Sequence, residues 1–532
     1  MNDNNTTSKS IILLAMLLGL LAGIAFCGRK DRTGHIGNTG SRGESTLEAV
    51  YDLVRKEYVD IVDRDSVDER MINSMLSSLD PHSRYLAPKE LERQQEEMRG
   101  GFDGIGLILR YRNDTVWAGT VMDGSPAQRA GVHAGDRVIA VNGDTVSGVN
   151  MSGEEVVKRI RGRKGTRVTM SLLRGADSRP VKVSIRRDAI ATPSIPYSGM
   201  LDRHTGYIKL IRFGETTYRE FHTALAQLKA EGMERLILDL RGNGGGLLDA
   251  AINIANDLLP NGNLIVYTEG ANQRRNDTRS RGRAFYEGDV IVMIDELSAS
   301  ASEVVSGAIQ DNDRGTIVGR RSFGKGLVQR QFDLENGGAL WLTVARYYTP
   351  SGRCIQRPYD KGTDEYYESY LEQMLEDMDN DSIVSAITDT TKYYTKKGRV
   401  VYGGGGIFPD KVLSYLKDSN LVYINALINR RFVSDIVLDY VKCNYDMLTK
   451  EYPREDDFVK KFIVNNDLVN ELYAYAGKNG LKKNERSAKK YNNLIRTTLK
   501  ANIGECLYGT AAFYRIYAPC DYELSQVTGN NK

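Results

Sequence analysis

Hydrophobic residues change their spacing several times along this chain, and each change marks a different kind of structure. Residues 11–26 are one apolar run, with Lys9 before it and Arg29, Lys30 and Arg32 after it. Over 46–98 the period is helical. Leu47, Val50, Leu53, Val54 and Tyr58 share one face, and Met71, Met75, Leu76 and Leu79 share another. Asp80-Pro81-His82-Ser83 breaks that pattern. From about residue 101 the runs shorten. Segments 116–121, 168–173 and 181–185 read as strands between turns, with a helical stretch at 154–160. From 193 to 411 apolar runs at 235–240, 290–294 and 316–318 alternate with helical segments at 247–259 and 301–309. Strand–helix–strand alternation predicts a layered α/β domain. Asn336-Gly337-Gly338 predicts a hairpin turn before a strand at 339–347.

These changes predict a multi-domain α/β chain in five segments. Residues 1–45 form an apolar segment and a Gly- and Ser-rich tether, and 46–98 a helical region. Residues 99–188 form a small strand-rich domain and 189–412 the α/β domain. Residues 413–532 are helical by pattern and carry no readable motif. Within the α/β segment, 358–397 is acidic and rich in tyrosine and reads as an insertion.

A chain of 532 residues has room for several domains. Its net charge of +3, from 72 basic and 69 acidic residues, gives no electrostatic footprint for nucleic acid. The 11–26 run is short for a membrane span and long for a signal core. No Ala-x-Ala site follows it, and Phe26 is too large for the lipoprotein box that Ile24-Ala-Phe-Cys27 otherwise resembles. An uncleaved anchor is therefore preferred, with a cleaved signal peptide as the alternative. Both readings put most of the chain outside the cytoplasm: on the periplasmic side of the envelope if anchored, or secreted if the signal is cleaved. Of five cysteines, Cys506 and Cys520 are the nearest pair for a disulfide, and free buried thiols are the other reading. With no CxxC and five scattered histidines, no metal is expected.

The chemistry concentrates in Leu297-Ser-Ala-Ser-Ala-Ser-Glu303 and Ser322-Phe-Gly-Lys-Gly-Leu-Val-Gln329. Ser300 lies between a strand and a helix, where unpaired backbone N–H groups favour negative charge. Ser298 and Ser302 compete with it, and a serine at a helix start also serves as a cap. A serine hydroxyl needs a base, and a lysine serves only if held neutral in a dry pocket. Lys325, flanked by Gly324 and Gly326, fits that need, and Gln329 can orient its amine. Asp239-Leu-Arg-Gly-Asn-Gly-Gly-Gly-Leu247 follows a buried strand. It lacks the Walker lysine and GxGxxG spacing, so an oxyanion hole or a tight packing turn fits better than a nucleotide site. No histidine sits in a catalytic pattern before Ser300, which disfavours a histidine triad. Asp311, Asp313 and Arg314 read as structural.

With Gln310-Asp311, Ser77-Ser-Leu-Asp-Pro-His-Ser83, Tyr347-Tyr-Thr-Pro-Ser-Gly352 and Phe408-Pro-Asp410, these segments resemble the C-terminal processing peptidases, or tail-specific proteases, over roughly 47–411. The resemblance implies a crotonase-like α/β catalytic domain, a PDZ domain at 99–188 and no cofactor. It places the nucleophile on Ser300, the base on Lys325 and the orienting amide on Gln329. It places the oxyanion donors on the backbone of Ala301 and of the glycine loop at Gly245. In the PDZ domain it places the carboxylate loop on Ile105, Gly106 and Leu107, with Val156 and Ile160 lining the pocket for the last side chain or simply packing the core. The segment from Cys354 to about 401 and the long helical C-terminus depart from the family pattern.

The function expected is a serine endopeptidase that cleaves near the free C-termini of envelope proteins. It would be anchored to the inner membrane by 11–26 and suited by its helical ends to homo-oligomers. The rivals are a non-catalytic PDZ scaffold of the envelope and a small-molecule esterase or amidase.

Overall fold

The apolar runs at 235–240 and 290–294 become adjacent parallel strands at the centre of a six-stranded sheet. The computed structural model describes residues 46–175, 179–379 and 391–529. The apolar run 11–26, the tether and Cys27 lie outside the described residues. Among the described residues no helix is long and apolar enough to cross a membrane.

The chain divides into two compact units, 1–68 and 69–532, with the division inside one helix. In the first unit, helix α1 (Thr46–Glu57) buries none of its residues. Helix α2 (Arg64–Ser77) spans the division.

In the second unit, β1 (Arg84–Leu86) follows the Asp80-Pro-His-Ser turn, and α3 (Pro88–Arg99) leads into a strand-rich domain. Strands β2 (Gly101–Gly104) and β9 (Asp188–Ala191) pair at its base. Between them, β3 (Leu107–Arg112), β4 (Thr115–Val121), β5 (Arg137–Val141), β7 (Arg167–Leu173) and β8 (Val181–Arg186) form one antiparallel sheet, with β6 (Asp144–Thr145) beside β5. Helices α4 (Pro126–Arg129) and α5 (Gly153–Ile160) complete it. Strand β3 is an edge.

The catalytic sheet runs β10 (Tyr197–Met200), β11 (Thr205–Lys209), β12 (Arg235–Asp239), β15 (Asp289–Ile294), β16 (Thr316–Gly319) and β21 (Lys411–Val412). All its neighbours are parallel except β10 with β11. Buried on both faces, such strands need apolar residues throughout, so their sequence shows no alternation. Leu236 and Leu238 join the core under α6 (Thr217–Ala230), α7 (Leu248–Leu258) and α8 (Ala301–Asp311). Ile237 points to the other face, which Ala518 and Leu524 cover.

A second sheet holds β13 (Leu264–Gly270), β14 (Gln273–Arg279), β17 (Leu327–Asp333) and β18 (Ala339–Tyr348), with β1 paired to β18. The expected hairpin joins β17 to β18. The insertion contains α9 (Thr363–Asp379), and β19 (Lys392–Tyr394) and β20 (Val400–Tyr402) follow. The C-terminal helices are α10 (Ser419–Asn429), α11 (Phe432–Glu451), α12 (Glu455–Lys461), α13 (Asn466–Lys478), α14 (Glu485–Lys490), α15 (Asn492–Tyr508), α16 (Thr510–Tyr517) and α17 (Tyr522–Thr528). Helices α10 to α16 share their own core, which includes Ala134 of the strand-rich domain.

Candidate active site

Parallel strands β12 and β15 end side by side, and open α/β sheets bind ligands beyond such ends. The glycine loop leaves one strand and the serine turn leaves the other. Two of the three competing serines fasten these loops together. Ser298 Oγ donates to the Leu240 carbonyl at 2.9 Å and accepts the Asp295 N–H at 2.9 Å. Ser302 Oγ donates to the Asn243 carbonyl at 2.8 Å. Both are fully buried. Ser300 instead lines a cavity of about 610 Å³ at the start of α8. Its backbone sits at φ 53° and ψ −111°. A side-chain-bearing residue there costs roughly 1–3 kcal/mol and keeps that conformation only because its surroundings hold it.

Lys325 lines the same cavity. Its Nζ donates to Gln329 Oε1 at 2.9 Å, and no carboxylate forms an ion pair with it among the described residues. Gln329 Nε2 donates to the His82 carbonyl, which leaves the amide oxygen facing the lysine. Burial, reinforced by Arg84, pushes the Lys325 amine down to about 8, while Asp80 and Glu303 act against the shift. The Nζ bond goes to Gln329, and no hydrogen bond joins it to Ser300 Oγ among the described residues. His82 is held neutral, its ring pushed down to about 3 by burial first and the Lys325 charge second.

Two bridges tie the serine and lysine backbones together, and sequence reasoning assigned neither. Glu303 is fully buried. Its Oε2 accepts the N–H of Ser300 at 2.7 Å and of Lys325 at 2.9 Å. Its Oε1 accepts the Gly324 N–H at 2.7 Å and Ser322 Oγ at 2.6 Å. Burial raises this carboxyl to about 7, although all four donors act against the rise. The Tyr347 hydroxyl reaches the Ser300 carbonyl at 3.1 Å and also the Lys325 carbonyl. Glu303 stands three residues after Ser300, a spacing that also reads as a helix cap.

In the glycine loop, Gly245 has φ 101°, and a Cβ there would stand 2.8 Å from the Ala299 carbonyl and 2.9 Å from Ser300 Cβ. Only glycine allows the loop this close to the serine. The Gly245 N–H, however, donates to Asn243 Oδ1 at 2.9 Å. That bond engages the N–H expected to serve as an oxyanion donor. The N–H groups of Ala301, Gly244 and Gly246 carry no hydrogen bond among the described residues, and all three residues line the cavity.

Other motif residues meet behind α8. Arg353 pairs with Asp311 at 2.8 Å, both fully buried, and donates to Gln310 Oε1 at 2.5 Å. Gln310 Nε2 donates to the Phe408 carbonyl at 2.8 Å and to Asp410 at 3.0 Å. Asp313 pairs with Arg399, and Arg314 donates to backbone carbonyls. These residues are structural, as expected. Cys354, Cys443, Cys506 and Cys520 are free, so Cys506 and Cys520 form no disulfide.

The strand-rich domain gathers its own set away from Ser300. Val156 and Ile160 of α5 are buried in its core with Ile105. Core packing is what the geometry shows for these three. Gly106, at φ 73°, packs so tightly that a Cβ would meet Ser125 Cβ at 2.3 Å. Leu107 opens the edge strand β3.

Comparisons with known proteins agree with both parts. The profile of peptidase family S41 matches residues 204–365, that of the PDZ domain 117–174, and that of a family of unknown function 423–509. The chain is 38% identical over 314 residues to a carboxy-terminal-processing protease of Bartonella bacilliformis, covering 58% of this chain and 71% of the relative. It is 30% identical over 349 residues to the carboxy-terminal processing protease CtpA of Bacillus subtilis, covering 65% and 73%. The solved photosystem II D1 C-terminal processing protease shares 31% identity over 59% of this chain and 84% of that one, with a TM-score of 0.34. The chain thus belongs to peptidase family S41, among the carboxy-terminal processing proteases, and carries a PDZ domain.

Proposed function

We propose that this protein is an endopeptidase of the cell envelope that captures proteins by their free C-termini and cleaves near them with a serine–lysine pair. The observation that carries the reading is the environment of Lys325. Its amine lies in the wall of the cavity that Ser300 lines, held by an amide and, among the described residues, by no carboxylate ion pair. A lysine so placed is neutral often enough to accept a proton near physiological pH.

In this mechanism neutral Lys325 takes the Ser300 proton as Oγ attacks the scissile carbonyl. Both side chains line the one cavity, and catalytic hydrogen bonds commonly form or tighten only when substrate binds. The Ala301 N–H and one from the glycine loop hold the oxyanion. Because Gly245 is engaged by Asn243, the second donor is Gly244 or Gly246. Each such donor is worth about 3 kcal/mol. Lys325 then protonates the leaving amine, and water releases the acyl-enzyme.

The PDZ domain binds the tail as an added strand beside β3, its carboxylate held by backbone N–H groups of Ile105, Gly106 and Leu107. Val156 and Ile160 form the floor beneath its last side chain. The apolar wall of the cleavage cavity, with Met98, Leu247, Leu248, Val304 and Leu327, suits an apolar residue before the cut. Residues 11–26 hold the chain in the membrane. Fractionation of cells making the full chain recovers it with membranes, and recovery in the soluble fraction contradicts that placement.

Incubating the enzyme with an unstructured protein that ends in apolar residues tests the chemistry. Ser300→Ala and Lys325→Ala each abolish cleavage while the fold persists by circular dichroism. Cleavage at the unmodified rate in either variant rejects the mechanism. Amidation of the substrate C-terminus weakens capture, whereas an esterase or amidase of small molecules would not sense it.

A further inference from the structure

Helix α9 lies in the insertion that departs from the family pattern, and the mechanism above gives it no task. Yet its first turns are not a surface appendage. Tyr366 is 1% exposed. Its hydroxyl lies 3.3 Å from His82 Nε2, and its ring meets the imidazole edge-on at 5.5 Å between centroids. The Tyr367 hydroxyl donates to the Pro81 carbonyl at 3.3 Å. Thr363 Oγ1, at the head of the helix, donates to the Ser77 carbonyl at 2.9 Å. Three contacts from one helix therefore land on one short segment, 77–82.

That segment holds the base through one intermediary. The His82 carbonyl takes the Gln329 amide N–H, and the Gln329 oxygen takes Lys325 Nζ. From inside the turn, Asp80 holds the N–H of His82 at 2.8 Å and of Ser83 at 2.9 Å, and Thr343 Oγ1 at 3.1 Å. Arg357 closes the side, its guanidinium 4.8 Å from the Tyr366 ring and 5.8 Å from Phe323, which stands two residues before the lysine.

We propose that α9 is a positioning element for the general base: Tyr366 and Tyr367 pin the Pro81-His82 turn, the turn fixes Gln329, and Gln329 fixes the Lys325 amine against the cavity wall. The inference rests on the reading of Lys325 as the base. Tyr366 and Tyr367 touch neither substrate nor the reacting atoms. The charged and titratable groups facing the amine are Arg84, Asp80, Glu303 and His82; Arg357 and Tyr366 face His82 in turn, and the two substitutions remove hydroxyls while leaving every one of the charged groups in the chain.

Removing the two hydroxyls tests this. In Tyr366→Phe with Tyr367→Phe the rings still pack, but the turn loosens and water reaches the amine. Steady-state cleavage of a peptide is measured across pH in the full chain and in the double variant, with Lys325→Ala as control. The expected result is a rising limb displaced upward by about one pH unit. It brings a fall of about tenfold in kcat at neutral pH, since the neutral fraction drops tenfold per unit there. KM stays within about twofold, because the substrate contacts are untouched. The single variant Tyr366→Phe shows the same displacement in smaller measure and serves if the double variant does not fold. A limb in its original place, with or without a lower kcat, overturns the role of α9 while Lys325→Ala remains inactive. Activity retained in Lys325→Ala instead ends the serine–lysine reading, and the role of α9 with it.

Discussion

The cleavage site is a set of exchanges among a few buried groups, and Glu303 carries the most of them. One carboxylate takes N–H groups from both Ser300 and Lys325, and two further donors besides. An amide in its place offers one acceptor oxygen and turns an NH₂ toward two of the four donors. Glu303→Gln is therefore expected to lower kcat at least tenfold and to cost about 3 kcal/mol of stability, read by turnover and denaturant unfolding. Lys325 makes the opposite exchange. Its folded-state amine, at about 8, binds a proton less readily than the unfolded chain's lysine does. Between about 8 and its ordinary value near 10.4 the unfolded state holds more protons, so stability rises with pH across that window. At neutral pH the buried amine costs ~3 kcal/mol. Lys325→Met removes that cost, and calorimetry is expected to show a higher Tm in a variant with no turnover. Ser300, Lys325 and Gln329 were legible in the sequence because helix starts and glycine-flanked turns announce themselves locally. Glu303 was not, because a glutamate three residues after a serine reads equally well as a cap. The His82 carbonyl was not, because a backbone acceptor has no residue type to recognise.

Whole elements show the same division between local and distant causes. The strands β12, β15 and β16 were readable as apolar runs, and α7 and α8 as the helices between them. Their common sheet has two covered faces, and the sequence pattern cannot say what covers the second. The structure assigns it to the last helices: Ala518 and Leu524 pack on Tyr207, Ile237, Met293, Val318 and Leu413. Beside them Arg241, which opens the glycine loop, pairs with Asp239, Asp521 and Glu523. The C-terminal region that showed no motif is thus a cover for the catalytic sheet and a brace for its loop. Leu524→Ala opens a cavity in that cover, and denaturant unfolding is expected to show a loss of about 3 kcal/mol. The pairing of β1 with β18 was invisible for a related reason. Strands so far apart in sequence meet through the tertiary fold, and neither segment names its partner. That pairing nevertheless brings the His82 carbonyl to Gln329, the partner of Lys325.

Across the molecule, one helix and one helical region connect the two functional halves. Helix α3 lines the cleavage cavity with Met98 and Arg99 and runs directly into β2 at the base of the PDZ domain. The C-terminal helices grip the PDZ domain from elsewhere. Arg112 forms a paired bond to Asp439, His133 stacks on Tyr445 at 4.2 Å, and Lys442 lies over Trp117. The same region braces the glycine loop through Arg241, so the PDZ domain and the Ser300 cavity are held in one frame. In the proposed mechanism this architecture serves one chemical event, the transfer of a proton from Ser300 to a neutral Lys325. The dependence of kcat/KM on pH, measured on a peptide whose cleavage is limited by acylation, tests that event most directly. The account predicts a rate that climbs tenfold per pH unit on the acid side and levels off near the Lys325 value of about 8. A rate that stays flat from about pH 6 to about pH 10 would contradict it.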